Sequence, residues 1–323
     1  MTSQRKRTPF SRPFPLDASE LAADFSNIIE TRWYTKGKNV KEFEEVMASY
    51  LDVDHAISTG TGSAALVIGL YTYAKMIGAE SITMPAFTFE AVMYTIEFAG
   101  INRIEYGDVD PRTWTLEDKD YSTPLVMPMD TFGNRCDISR TEPENLIFDA
   151  AQSFGADIRR DRGALEVISF AGSKVLTTGG EGGMIVTNDR ELAERCRHLR
   201  ELFSKMPEAC ALVGVAMMEH IDEILEAKAE IARMYRRSIP LQFQEITSSN
   251  NYIVACLLKG RDAFIEEHRD RADFRDFYSE PLAHAPVTYE LAREVLCLPN
   301  WPEVLPDIGY ISDMVNGWAE GRA

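Results

Sequence analysis

Ser169-Phe170-Ala171-Gly172-Ser173-Lys174, followed after three residues by Thr178-Gly179-Gly180-Glu181-Gly182-Gly183, is the stretch from which the rest of the chain can be read. An apolar strand, Glu166–Phe170, empties into a loop of small residues carrying one lysine, and a glycine-rich run leads into a second apolar strand, Gly183–Thr187. Most lysines are solvated surface charges. One in a small-residue loop behind a buried strand can instead be partly desolvated, which lowers its pKa and makes its amine a nucleophile. The glycine run also fits a hairpin turn, and it lacks the Lys-Ser/Thr ending of a phosphate-binding P-loop.

The same texture extends in both directions. Upstream, short apolar strands at His55–Ser58, Ser81–Met84, Asn102–Tyr106, Leu125–Pro128 and Leu146–Phe148 are interspersed with helical periodicity at Ala18–Thr31, Val40–Tyr50, Ala64–Met76 and Phe89–Phe98. Alternation of this kind predicts an α/β fold with a mostly parallel sheet covered on both faces. Downstream, Pro207–Arg237 reads as a long charged helical region. Beyond it come one strand, Tyr252–Leu258, and helices near Asp262–His268, Tyr289–Val295 and Asp307–Trp318. The change of texture near Phe203 divides the chain into a larger unit, residues 1–204, and a smaller one, residues 205–323.

Two more features lie where a parallel sheet presents its ligands. Gly60-Thr61-Gly62-Ser63-Ala64-Ala65 joins a strand to a helix, and amides at a helix N-terminus favour an anion. A plain tight turn explains it equally well. It also matches the loose G-x-G-x-x-A pattern of dinucleotide sites, but the next strand ends in Met84-Pro85-Ala86, without the ribose-binding acid that a nicotinamide enzyme places about 20 residues on. Ile147-Phe148-Asp149-Ala150-Ala151-Gln152 sets an acid at the carboxyl end of a buried strand, either as a helix cap or facing a ligand.

Bulk properties remove other classes. A net charge of −17 and a pI of about 4.8 exclude a phosphate-backbone partner, and the only basic cluster, Arg5-Lys6-Arg7, reads as a solvated arm. Five cysteines, far apart and without a CxxC pair, indicate neither a disulfide framework nor a metal site and fit a reducing cytoplasm. Residues 1–15 lack the apolar run of a signal peptide, and no segment has the length of a membrane span.

Taken in order, these pieces resemble the DegT/DnrJ/EryC1/StrS family of sugar aminotransferases. The resemblance rests on Trp33-Tyr34-Thr35-Lys36-Gly37, Phe43-Glu44, Gly62-Ser63-Ala64-Ala65-Leu66, Pro85-Ala86-Phe87-Thr88-Phe89, Asp108-Val109-Asp110, Phe132-Gly133, Asp149-Ala150-Ala151-Gln152, Ser169-Phe170 with Lys174, Gly180-Glu181-Gly182-Gly183 and Leu296-Cys297-Leu298-Pro299. It implies the aspartate-aminotransferase fold (fold type I), with a large domain binding pyridoxal 5'-phosphate (PLP) and a smaller α+β C-terminal domain. It also implies transfer of an amino group, usually from glutamate, to a keto sugar that is usually nucleotide-linked, with small-molecule substrates and a homodimer. By the same resemblance Lys174 holds the cofactor as a Schiff base and shuttles the proton, and Asp149 pairs with the pyridine nitrogen. Gln152 lies near the phenolic oxygen, Gly62, Ser63, Ala64 and Ser169 surround the phosphate, and Phe89 stacks on the ring.

The chain departs from the family's pattern in two places. The long loop after Leu199-Arg200 is nearly absent, with Phe203 at its asparagine position and Lys205 in place of arginine, which puts the cross-subunit phosphate contact in question. Asp130 stands where a histidine is common, changing the charge expected beside an amino donor or sugar. Another PLP reaction, or a non-catalytic homologue, remains as an alternative. The lysine at 174 argues against the sugar-dehydratase branch, where a histidine takes that place.

Overall fold

The computed structural model describes residues 6–156 and 162–321, so Arg5 of the basic cluster lies outside the described residues. The N-terminal part runs α1 (Ala18–Thr31), α2 (Lys38–Tyr50), β1 (His55–Thr59), α3 (Gly62–Ile77), β2 (Ser81–Pro85), α4 (Ala91–Phe98), β3 (Arg103–Gly107) and β4 (Leu125–Val126). It continues through β5 (Ile147–Asp149), β6 (Leu165–Ser169), β7 (Gly183–Thr187) and α5 (Arg190–Phe203). The remainder is α6 (Glu208–Met218), α7 (Ile221–Ser238), β8 (Val254–Leu257), α8 (Arg261–His268), α9 (Pro286–Glu294), β9 (Val295–Leu298) and α10 (Ile308–Glu320).

Strands β3-β2-β4 pair in parallel, and β5 pairs in parallel with β6. Isolated parallel bridges Val126–Leu146 and Met129–Asp149 run β4 alongside β5. Strand β7 is antiparallel to both β6 and β1. The sheet is thus mostly parallel, with one reversed strand, and it carries the carboxyl ends of β5 and β6 to the same edge of the molecule.

Helix α3 lies close on the sheet because Gly69 has no side chain: a Cβ there would meet Leu165 Cδ1 at 3.3 Å. Ile57, Leu66, Leu70, Ile82, Val167, Ile185 and Leu192 fill the space between sheet, α3 and α5. The opposite face is aromatic, with Phe43, Phe87, Trp114, Phe132 and Phe170 buried together. A third core, formed by residues from Ile231 to Trp318, covers the β8–β9 pair.

Three predictions from sequence need correction. The long helical region at 207–237 is divided into two helices, broken at Glu219-His220, where the chain turns through backbone bonds to Ala216 and Met217. Residues 190–203 form a helix the periodicity did not mark, capped by Asp189, whose carboxylate accepts from Leu192 N. The C-terminal part holds two strands rather than one, because Val295 begins β9 instead of ending a helix.

Asp108, just after β3, reaches the start of α9 and accepts from Val287 N (2.9 Å), Thr288 N (2.9 Å) and the Thr288 hydroxyl (2.8 Å). Burial opposes its ionisation, but these bonds and one from Val109 N outweigh it and hold the pKa below the ordinary value. A carboxylate with a depressed folded-state pKa stabilises the fold above its unfolded value and ceases to do so as pH falls through the folded one. Asp108→Ala is therefore expected to cost about 1–2 kcal/mol at pH 7, the ordinary loss of a helix cap. The deficit should close only below the free-carboxylate value of about 3.9. Urea midpoints of both proteins from pH 7 down to pH 3 test this. A deficit independent of pH over that range would refute the charged-cap account.

Candidate active site

A cavity of ≈ 450 Å³ opens where β5, β6 and the start of α3 converge. Its walls include Gly62, Ser63, Phe89, Asp149, Gln152, Ser169 and Lys174, which the sequence places at separate positions along the chain. Of the predicted site residues only Ala64 turns elsewhere, into an adjoining groove, and its N–H is already taken by Thr61 Oγ1 at 3.0 Å.

The N-terminus of α3 forms one end of the cavity. Gly60 N donates to the Ser204 hydroxyl (3.0 Å) and Ala64 N to Thr61, so both are committed within the protein. The N–H groups of Gly62 and Ser63 have no protein acceptor among the described residues. Close packing explains the glycines here: a Cβ on Gly62 would lie 2.8 Å from Ser169 Cβ, and one on Gly183 would lie 2.3 Å from Thr61 O. Two free amides at a helix N-terminus beside a serine hydroxyl suit an anion with several acceptor oxygens.

Asp149 forms the other end. It is buried, with Oδ1 accepting from Ala151 N at 3.1 Å. Burial raises its pKa, while the Ala151 amide and the Lys174 charge pull the other way. No cation bonds this carboxylate directly among the described residues, so a positively charged N–H entering the cavity would favour its ionised form. Lys174 leaves β6 in a turn closed by its N–H to Ala171 O (2.9 Å), and its ammonium lies 5.0 Å from the centre of the Tyr252 ring. Phe89 stands at the rim, 60% exposed.

These residues therefore fit PLP at three independent points: an amine, a buried acid for the pyridine nitrogen, and free amides with a hydroxyl for the phosphate. Asp130 does not fit its expected place. It is fully buried, paired with Arg162 through two bonds (2.7 and 2.9 Å), and also accepts from Cys136 N and Ser153. Although burial opposes it, Arg162 keeps the pKa of Asp130 low. Its charge is compensated inside the protein rather than presented to a ligand. The shortened connection after Arg200 folds back on the Gly60 turn through Ser204, leaving Phe203 75% exposed and Lys205 exposed.

Three aromatic residues of the site escaped the sequence reading. Tyr252, Phe277 and Tyr278, all from the C-terminal part, line the same cavity as Lys174 and Asp149. Their one visible signal was the pair Phe277-Tyr278 shortly before Pro281 in a region with few other marks.

Residues 15–311 match the sequence profile of the DegT/DnrJ/EryC1/StrS aminotransferase family. The chain is 26% identical to the GDP-perosamine synthase of Escherichia coli O157:H7, covering 89% of this chain and 92% of that protein. It is 30% identical to the GDP-perosamine synthase of Caulobacter vibrioides, over 73% of this chain and 70% of that one. Among solved structures, DesI with its TDP-sugar product superposes with a TM-score of 0.84 at 23% identity, covering 99% of this chain and 95% of that one.

Proposed function

From a chain that belongs to the DegT/DnrJ/EryC1/StrS aminotransferase family and has its fold type I architecture, we propose PLP-dependent transfer of an amino group from an amino acid, glutamate being the donor we favour, to a nucleotide-linked keto sugar. One observation carries this reading: Lys174 and Asp149, at the ends of adjacent strands, face a single cavity that ends in the free amides of Gly62 and Ser63. The sugar half of the proposal is supported by the names of the relatives, two of which are GDP-perosamine synthases.

Bound there, the cofactor supplies an aldehyde that captures amines and a ring that accepts the electron pair released when a substrate carbon loses its proton. Asp149 holds the ring nitrogen protonated. Gly62 and Ser63 N–H and the Ser169 hydroxyl bind the phosphate, helped by the dipole of α3. Phe89, at the rim, would stack on the ring and shield it from water. Lys174 would hold the cofactor through its amine and would move the proton at the donor's carbon and at the carbon of the keto sugar.

The purified protein with PLP should absorb at roughly 410–430 nm, lose that band on adding glutamate and regain it with a keto-sugar nucleotide. A band that no amino acid removes would refute amino transfer.

We also propose a homodimer. Tyr71, Tyr94, Phe98 (79% exposed), Leu202 and Phe203 surround an apolar groove of ≈ 750 Å³ beside the phosphate end of the site. A patch of this kind suits a second copy of the chain. An active monomer at micromolar concentration in light scattering would refute it. The division into units 1–204 and 205–323 stands as part of the same proposal, with Ala211 and Met217 of α6 packing into the core of the first. The five free cysteines support a reducing compartment, and no described helix is long and apolar enough to cross a membrane.

A further inference from the structure

Gln152 is held at both ends of its amide. Its Oε1 accepts from Phe132 N at 2.6 Å, and its Nε2 donates to the Tyr278 hydroxyl at 2.6 Å. That leaves one Nε2 hydrogen uncommitted. Tyr278 accepts the amide hydrogen, so its own proton points elsewhere, and no protein acceptor for it exists among the described residues. Both side chains line the cavity that Asp149 and Lys174 share. A half-buried hydroxyl that lines a cavity with its proton unplaced is available to a ligand acceptor.

The backbone supports a role beyond packing. Tyr278 (φ 65°) and Phe132 (φ 61°) both adopt the left-handed conformation, unfavourable for bulky side chains, and their rings stack at 5.5 Å with a 6° interplanar angle. Phe87 meets the Tyr278 ring edge-on at 5.1 Å. Unfavourable backbone held by such packing concentrates at functional sites.

We propose that Tyr278 is a cofactor-binding residue: its hydroxyl, oriented by Gln152, donates to the ring oxygen of PLP together with the free amide hydrogen of Gln152. This rests on the cofactor reading above. Two donors to that oxygen stabilise its negative charge and weaken the hold on the proton it shares with the lysine-linked nitrogen. The C-terminal part of the chain thereby sets the protonation of a cofactor bound mainly by the N-terminal part. The other titratable groups facing the hydroxyl are Asp149 at the end of β5, Tyr252 before β8 and Cys297 on β9.

The test is a pH titration of the visible band of the PLP-loaded protein. Tyr278→Phe keeps the ring and removes one oxygen, and it should raise the apparent pKa of the band by about one unit or more, roughly a tenfold gain in proton affinity. Site-specific 3-fluorotyrosine at position 278 keeps the fold and the bond but strengthens the donor, and it should shift the same pKa downward. A thermal midpoint of the cofactor-free Phe variant close to wild type separates this effect from unfolding. Titrations that coincide with wild type in both variants would overturn the role of Tyr278 and leave the PLP reading standing. A wild-type protein with no visible band would overturn both.

Discussion

Lys174→Ala is expected to abolish amino transfer, with a loss on the order of 10⁴-fold or more, equivalent to about 5.5 kcal/mol of transition-state stabilisation. Two proposed roles would disappear together, since on this reading the same amine links the cofactor and moves the proton. Stability should change little: the side chain is half-buried, and its described side-chain interaction is a cation–π contact with Tyr252, worth about 0.5–1 kcal/mol. Lys174→Arg should not rescue activity, because a guanidinium remains protonated and cannot be the nucleophile. Borohydride reduction of the wild-type protein followed by peptide mass analysis should find the pyridoxyl group on Lys174. A reduced adduct on any other lysine would overturn the assignment.

Asp149→Asn should retain PLP yet lose turnover by about 10³-fold, or roughly 4 kcal/mol. The buried carboxylate lacks a direct cationic partner among the described residues and carries a raised pKa, caused first by burial and only partly offset by Ala151 N–H and Lys174. An ionised acid at that place needs a protonated ring nitrogen opposite it. An amide has no charge with which to hold that proton, so the ring becomes a poorer electron acceptor. The alternative role, a cap for the turn that follows β5, survives the substitution because asparagine also accepts from Ala151 N. Near-wild-type rates would leave the cap as the whole function. Single-turnover kinetics with the amino donor alone place the loss in proton removal rather than in binding.

Lys174, Asp149, Ser169 and Gly62 were legible because each stands at a strand end or a helix start, with small neighbours where bulk would be expected. The parallel sheet was legible for the same reason: its strands are short apolar runs separated by helical periodicity. Helix α5 was obscured by its charge, since residues such as Arg190, Glu194, Arg195 and Arg197 interrupt the narrow stripe of Leu192, Ala193 and Cys196. Strand β9 is apolar on both faces and only four residues long, a length at which periodicity cannot separate strand from helix. Asp130 was misplaced because its neutralising partner, Arg162, is distant in sequence. Tyr278 and Tyr252 depend on tertiary docking that carries the C-terminal part over the strand ends. No local pattern records that docking.

The reversed strand has a consequence for the order in which the molecule forms. Among the described residues β1 has β7 as its sole strand neighbour in the sheet, with Thr59 paired to Gly183. Contacts between segments so distant in sequence form slowly, because a long loop must close before any pairing rewards it. On a growing chain, β1 and the turn after it therefore remain unpaired until residues 183–187 have emerged, although α3 can already coil. The Gly62 and Ser63 amides reach their final setting only when Gly183 arrives against Thr61, where no larger residue fits. The helix start that lines the cavity is thus completed late, by a strand more than a hundred residues further along the chain.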